Sequence, residues 1–279
     1  AIICAPLHFK GKLIGVVEGV NPIGRDDFDQ DDLELFNLFA EQAVMAVQNA
    51  ILFENSLERS KLEHEINSAY ELFEPFHQPV TIQRDGVSVT MVSRPGRDFS
   101  GDIFTSSKEE DHISLMIADS GKRGLSGAIT ASYIAGKMTA FARTCKTTSQ
   151  TVRHFLRSQK DLQISTPVCL LSAKLFTGER LLEYTMTGTV QILLFKNGKV
   201  RHFTANSNTV SNQISRTRIR LEKGTVLLAF SEGAIELKDK SGTPFGIKRL
   251  AGTVDTGKST DYILHDILYN THNYRGDYL

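Results

Sequence analysis

No glycine or proline falls between Asp26 and Pro75. A stretch that long without a backbone breaker has one regular option, a long helix. Its apolar residues agree. Leu33, Phe36, Ala40, Ala43, Val47 and Ala50 step by three and four, and the step returns at Leu62, Ile66, Ala69, Phe73 and Phe76. That is a helical stripe close to a heptad seam. Five acids between Asp26 and Asp32 stand where a helix dipole favours negative charge. The step of 12 from Ala50 to Leu62 is not a whole number of heptads, so the seam shifts. The charged middle, Glu54 to Glu65, is solvated. The pattern predicts one helix of about 45 residues or two nearly continuous ones, far beyond the usual globular length. A core helix of one domain and a connector between dimerised domains both fit the pattern, and the length favours the connector.

The flanks differ from one another. Residues 1–24 predict two strands, 1–5 and 13–20, joined by the turn Phe9-Lys-Gly-Lys12. Their weak alternation suits strands covered on both faces. Beyond Pro75 the chain reads as mixed β and α. Apolar runs bounded by turn residues predict strands at 87–92, 113–118, 167–173, 181–186, 190–195 and 225–230. Helices are predicted at 125–145, 149–159, 247–253 and 260–270. Asn197-Gly198 marks a hairpin turn. Strand runs separated by paired helices point to an α+β sandwich.

Two aspartates punctuate the stretch from Ser93 to Gly127. Asp119 ends the apolar run that begins at Ile113, so it projects from a strand end. Asp102 is predicted in a Ser-Gly-Asp loop before that strand. Two carboxylates near one sheet edge can hold hard divalent cations, which want oxygen ligands and charge neutralisation. Aspartates also form turns by bonding their own backbone, and spacing alone does not separate the two readings.

Composition narrows the function classes. The chain has 279 residues, enough for one large or two ordinary domains, with 41% hydrophobic and 23% charged residues. Lysine plus arginine equals aspartate plus glutamate, 32 each, so no broad nucleic-acid footprint is expected. Cys4, Cys145 and Cys169 are odd in number and far apart, which argues against a disulfide framework and fits a reducing, cytoplasmic setting. No apolar run reaches membrane-spanning length. The chain opens inside a strand-like run without Met, and it reads as a fragment of a longer protein. The histidines show no metal-ligand spacing, and Gly121-Lys-Arg-Gly124 is too short for a Walker loop. His64 lies in Leu62-Glu-His-Glu-Ile66 without the glycine-rich boxes of a histidine kinase, so it reads as a helix residue.

Two family resemblances rest on particular residues. Ala1-Ile-Ile-Cys-Ala-Pro-Leu with Gly11-Lys-Leu-Ile-Gly-Val-Val, then Asp27-Phe-Asp-Gln-Asp-Asp-Leu, then Phe39-Ala-Glu-Gln-Ala-Val-Met-Ala-Val-Gln-Asn-Ala50 resemble the C-terminal half of a GAF domain. That implies a sensing module whose ligand is not named by these residues. Further on, Ser93-Arg-Pro, Phe99-Ser-Gly-Asp102, Ile117-Ala-Asp119, Gly124 with Ala128, Phe230-Ser-Glu-Gly-Ala-Ile-Glu236 and Pro244-Phe-Gly-Ile-Lys-Arg-Leu250 are similar, in order, to the SpoIIE-like branch of the PPM serine/threonine phosphatases. The division expected is a partial GAF α/β domain at 1–52, a connector helix at 53–78, and a phosphatase domain at 79–279 truncated at its C-terminus.

The second resemblance implies an αββα sandwich with two Mn2+ or Mg2+ ions at one edge of the central sheets. It implies that Asp102, Asp119 and Glu232 are ligands, that the Ser120 carbonyl joins the metal shell, and that Asp277 matches the last metal aspartate. A metal-bound water then attacks a phosphoserine or phosphothreonine. Lys122 or Arg123 could contact the substrate phosphate, or simply form a solvated basic turn. The implied partners are a phosphoprotein, by family habit a phosphorylated anti-sigma-factor antagonist in bacterial partner switching, and a second copy through the connector helix. The departures are specific. Only one glycine remains in Ser100-Gly-Asp102, and Thr105 replaces a second aspartate. Lys122 and Arg123 stand where glycine and histidine or asparagine are usual. Glu232 stands for aspartate, and Thr187-Gly-Thr189 replaces a Gly-His pair. An active metal-dependent phosphatase and a weakened pseudo-phosphatase that binds a partner through the same surface both remain open.

Overall fold

The breaker-free stretch forms a single helix in the computed structural model, α1 over Gln30–Phe73, 44 residues long. At 1.5 Å per residue it runs about 66 Å. Its start is fixed locally. The Asp29 amide donates to the Asp32 carboxylate, and the Asp32 amide donates back to Asp29, both at 2.9 Å. This reciprocal pair acts as a capping box, and Arg25 bridges both carboxylates. The structure describes residues 1–95, 99–161, 168–205 and 214–275. Within them the chain divides into two units, Ala1–Ala69 and Tyr70–Leu279.

In the first unit, β1 (Ile2–Phe9) and β2 (Lys12–Val20) pair antiparallel. Lys10 and Gly11, both at positive φ, make the turn. Ile3 and Ala5 are buried, whereas Ile2, Val16 and Val20 are each more than 60% exposed. The expectation of strands covered on both faces is therefore corrected: one face is covered. A Cβ on Gly19 would stand 2.9 Å from Ile3 and 3.5 Å from the Phe36 ring, so glycine lets α1 lie close on β2.

The second unit is layered. A hairpin pairs β3 (Val80–Arg84) with β4 (Val87–Met91). The larger sheet contains β5 (Asp102–Lys108), β6 (Ile113–Asp119), β7 (Cys169–Phe176), β8 (Leu181–Thr187) and β11 (Thr217–Arg220), in the order β11-β8-β7-β6-β5. The smaller sheet is β10-β9-β12, from β9 (Gln191–Lys196), β10 (Lys199–Thr204) and β12 (Val226–Phe230). Leu171, Ala173, Leu182 and Tyr184 meet Val190 and Ile192 between the sheets. Ile103, Ala118 and Leu170 project the other way, against α2 (Gly124–Thr144) and α3 (Thr148–Asp161). Behind α4 (Gly233–Glu236), α5 (Gly246–Gly252) and α6 (Thr260–Arg275) cover the smaller sheet through Phe245, Leu250, Ile263 and Ile267. This is the expected αββα order. Strands buried on both sides explain why period-two alternation is weak in the sequence.

The predicted strands and helices of this unit recur with ends shifted by a few residues; the start of the predicted strand at 167 lies outside the described residues. Strands β3, β5, β10 and β11 have no counterpart among the predicted ones, although the hairpin turn at Asn197-Gly198 leads into β10. They are short or rich in polar residues, and sheet pairing supplies what propensity does not. One consequence corrects a site residue: Asp102 lies in no loop but opens β5.

The helix-facing side of the larger sheet carries a polar row, Ser107, Ser114, Lys174, Glu183 and Arg218, aligned across all five strands. Glu183 is 1% exposed. It accepts from the Thr148 amide at 3.1 Å and from Arg218 at 2.9 Å, with Arg216 at 3.4 Å. Burial pushes its pKa up, but these donors and the two guanidinium charges bring it below the ordinary 4.5. A depressed carboxylate pKa stabilises the fold above 4.5, and that contribution fades as the pH falls below it. Glu183→Gln is expected to lower stability by about 2 kcal/mol at pH 7, with a smaller difference from the parent as the pH drops below 4.5. Urea unfolding at the two pH values measures this, and an equal loss at both would contradict it.

Candidate metal centre

Asp102 and Asp119 are register partners at one end of the β5–β6 ladder. Residues directly opposite in an antiparallel pair point to the same face. Their neighbours Ile103 and Ala118 face the helices, so both aspartates face the side on which the smaller sheet lies. Ser231 and Gly233, just after β12, come in from that side. The Ser231 hydroxyl donates to Asp102, and a Cβ on Gly233 would stand 3.7 Å from Asp102 Oδ2. Two strand ends and one turn thus converge on one carboxylate.

The turn after β6 is clamped. The Ser120 amide donates to the Gly101 carbonyl at 3.0 Å, and the Gly121 amide to Asp119 Oδ1 at 2.7 Å. Ser120 is fully buried, and its hydroxyl donates to the Gly127 carbonyl at 3.3 Å while accepting from the Lys122 amide. A Cβ on Gly101 would lie 2.1 Å from the Lys122 carbonyl oxygen, and one on Gly127 would lie 2.5 Å from it. Neither contact is possible, so both glycines are needed for the backbone of the turn to sit between β5 and α2. Of the expected double glycine before Asp102, the one that survives is the one the packing requires.

The electrostatics are unbalanced. Asp102 Oδ1 is buried with no hydrogen-bond partner. Burial, and then the charge of Asp119, push the Asp102 pKa up to about 6, against a smaller opposing effect of Ser231. Like charges directly opposite across a ladder repel. The pair lacks positive charge, and a divalent cation with oxygen preference would satisfy both carboxylates and the orphaned Oδ1.

The other expected site residues are placed as follows. Glu232 is half-buried beside Ser231, and its carbonyl accepts from the amides of Ile235 and Glu236. Its carboxylate does not join Asp102 and Asp119, since no group of three acidic, histidine or cysteine side chains is gathered among the described residues. Lys122 and Arg123 are exposed. Asp277 lies outside the described residues. Ser231 and Gly233 are site neighbours that residue type does not reveal: they lie in Phe230-Ser-Glu-Gly233, where the acid is the conspicuous residue. Cys169 extends the row beyond Asp119; Thr189 donates to its sulfur at 3.2 Å. A Cβ on Gly188, at positive φ, would stand 2.4 Å from that sulfur, so the Thr187-Gly-Thr189 segment supplies close packing here.

Gly101→Ala is expected to cost about 2 kcal/mol or more, because backbone must move; denaturant unfolding against the parent tests it. A carboxyl with a raised folded pKa contributes stability below its ordinary 3.8, which is lost as the pH rises through about 6. In chelator, Asp102→Asn is therefore expected to melt above the parent at neutral pH and to lose that advantage below 3.8. A melting difference that does not change with pH would contradict the repulsion.

The family of stage II sporulation protein E (SpoIIE) matches residues 109–278, and the GAF domain family matches residues 1–47. A comparison with curated proteins found no match. Among solved structures, the SiaA-PP2C domain of Pseudomonas aeruginosa is similar at a TM-score of 0.68 and 10% identity, covering 80% of this chain and 93% of that one. RsbX in complex with magnesium is similar at 0.54 and 13% identity, covering 71% and 92%. The PP2C phosphatase domain of SpoIIE from Bacillus subtilis, with a fragment of its regulatory domain, is similar at 0.52 and 10% identity, covering 90% and 96%. At these identities the likeness concerns the fold.

Proposed function

The chain belongs to the SpoIIE family, and from that premise we propose that it is a metal-dependent serine/threonine phosphoprotein phosphatase controlled by its GAF segment. The observation that carries the reading is the opposed pair Asp102 and Asp119 with one buried oxygen unpartnered. The proposed cofactor is a pair of Mn2+ or Mg2+ ions. Asp102 and Asp119 would hold them, with the Ser120 carbonyl, Glu232 and Asp277 as the further ligands of the proposal. Glu232 would have to turn its side chain toward Asp102. When bound, such a pair supplies a water of lowered pKa and neutralises charge on a phosphoryl group. Asp102 and Asp119, aligned by the sheet, orient that chemistry. Gly101 and Gly127 keep the turn in register with them. Lys122 and Arg123, exposed next to Asp119, would attract the substrate phosphate. No nucleophile from the protein is required.

The remaining features of the proposal concern context. The division is residues 1–52 as partial GAF domain, 53–78 as connector and 79–279 as phosphatase domain. Two copies would associate through the connector part of α1, where Phe53, Leu57 and Leu62 are exposed. The substrate would be a phosphorylated anti-sigma-factor antagonist in the cytoplasm of a bacterium. No helix among the described residues is long and apolar enough to cross a membrane. A second reading, a pseudo-phosphatase that binds its partner without hydrolysis, is favoured by one observation: the described residues gather two carboxylates rather than three.

Calorimetric titration of Mn2+ into the parent, Asp102→Asn and Asp119→Asn separates the readings. The phosphatase reading expects two ions in the parent, and loss of affinity by about tenfold or more in each variant. Release of phosphate from a phosphoserine protein should fall in parallel. No binding at millimolar Mn2+ would sink this reading and leave the partner-binding one.

A further inference from the structure

The first two turns of α2 carry apolar side chains on the wrong side for the core. Gly127, Ala128, Ala131 and Ile134 are buried against the larger sheet and its neighbours. Leu125 and Ile129, at i and i+4, lie on the opposite face, 38% and 57% exposed. The segment from Gly124 to Gly136 contains no charged residue. A surface helix ordinarily turns charge to solvent; this one turns Leu125 and Ile129 outward, with Ser126 between them and no charge. The pair sits beside the exposed Lys122 and Arg123, which follow Asp119 by three and four residues. The basic pair and the apolar pair thus both follow Asp119 within ten residues, and all four side chains are exposed.

We propose that Leu125 and Ile129 form a docking surface for the phosphoprotein substrate, receiving apolar side chains that flank its phosphorylated serine or threonine. The inference rests on the phosphatase reading and names the substrate class for that site. Charge complementarity selects this occupant. A phosphorylated residue carries nearly two negative charges and three acceptor oxygens, which match the two cations at 122 and 123. The adjoining apolar pair is then placed for the residues on either side of the phosphate. Burying apolar flank against Leu125 and Ile129 adds affinity that a free phosphate ester cannot obtain. Substrate choice would therefore reside in the peptide flanks, while the carboxylates and their metals are indifferent to them.

The test uses two fluorescent peptides carrying a non-hydrolysable phosphonate in place of phosphoserine, one flanked by leucines and one by serine and glycine. Binding is read by anisotropy with Mn2+ present, so no turnover intervenes. The parent should bind the leucine-flanked peptide about tenfold more tightly, the effect of partly burying one or two leucines. Leu125→Ser/Ile129→Ser should abolish that preference and leave the serine-flanked peptide unchanged. Lys122→Ala/Arg123→Ala should weaken both peptides alike. Because Leu125 and Ile129 are exposed, the variant should keep the parent's thermal melt; Ile129→Lys gives a second variant with the same expectation. Equal binding of both peptides by the parent, or a preference that survives the substitutions, overturns the docking surface while leaving the phosphatase reading intact. If neither peptide binds, the docking surface is overturned, while the phosphatase reading stands or falls by the Mn2+ titration. If the substitutions instead turn a dimer into a monomer by sedimentation with the preference unchanged, the face covers a second copy and the substrate proposal is wrong.

Discussion

Asp102 and Asp119 face one another across β5 and β6, at a separation set by the ladder and not by their own chemistry. Two carboxylates so placed repel, and burial of one of them sharpens the cost of ionising it. The surroundings are arranged around that cost without cancelling it. Ser231 donates one hydrogen bond to Asp102, Gly121 donates one to Asp119, and Oδ1 of Asp102 is left without a partner. A site built only for stability would replace one carboxylate by an amide. Retaining both is understandable if the missing positive charge comes from a bound cation.

The same constraint explains the glycines. For Asp119 to stay opposite Asp102, the chain must leave β6, turn and enter α2 within five residues. The Lys122 carbonyl then passes where a Cβ of Gly101 or Gly127 would stand. The turn sequence has drifted from the family pattern at Lys122 and Arg123, which are exposed. Glycine stands at 101 and 127, the two positions where backbone meets backbone. Substitution is tolerated where a side chain has room and refused where it has none.

At the opposite end of the larger sheet, a second polar arrangement behaves differently. Glu183 is more deeply buried than Asp102, yet each of its oxygens accepts hydrogen bonds, from Thr148 on one side and from Arg216 and Arg218 on the other. Its pKa falls where that of Asp102 rises. One fold thus holds a satisfied buried carboxylate that ties α3 to β8 and β11, and an unsatisfied one at the candidate metal centre. The contrast, more than burial itself, separates structural from chemical carboxylates here.

Local periodicity by itself determines much of this protein. The absence of glycine and proline between Asp26 and Pro75 specifies α1, apolar runs specify most strands of the two sheets, and ordered motifs point to the SpoIIE family fold. These features depend on neighbours in sequence. Which carboxylates meet does not. The turn residues around Asp102 suggest a loop; pairing with β6 makes it the first residue of β5, because a polar strand such as Asp102–Lys108 is stabilised by its ladder and not by propensity. Residue type singles out Glu232, whereas the convergence of β12 on β5 brings Ser231 and Gly233 to Asp102. Nor does residue type say which face of α2 is covered, since Leu125 and Ala128 are both apolar and only the position of the sheet decides between them. Register and packing are long-range choices, made by the whole sandwich at once, and the candidate site is assembled from those choices.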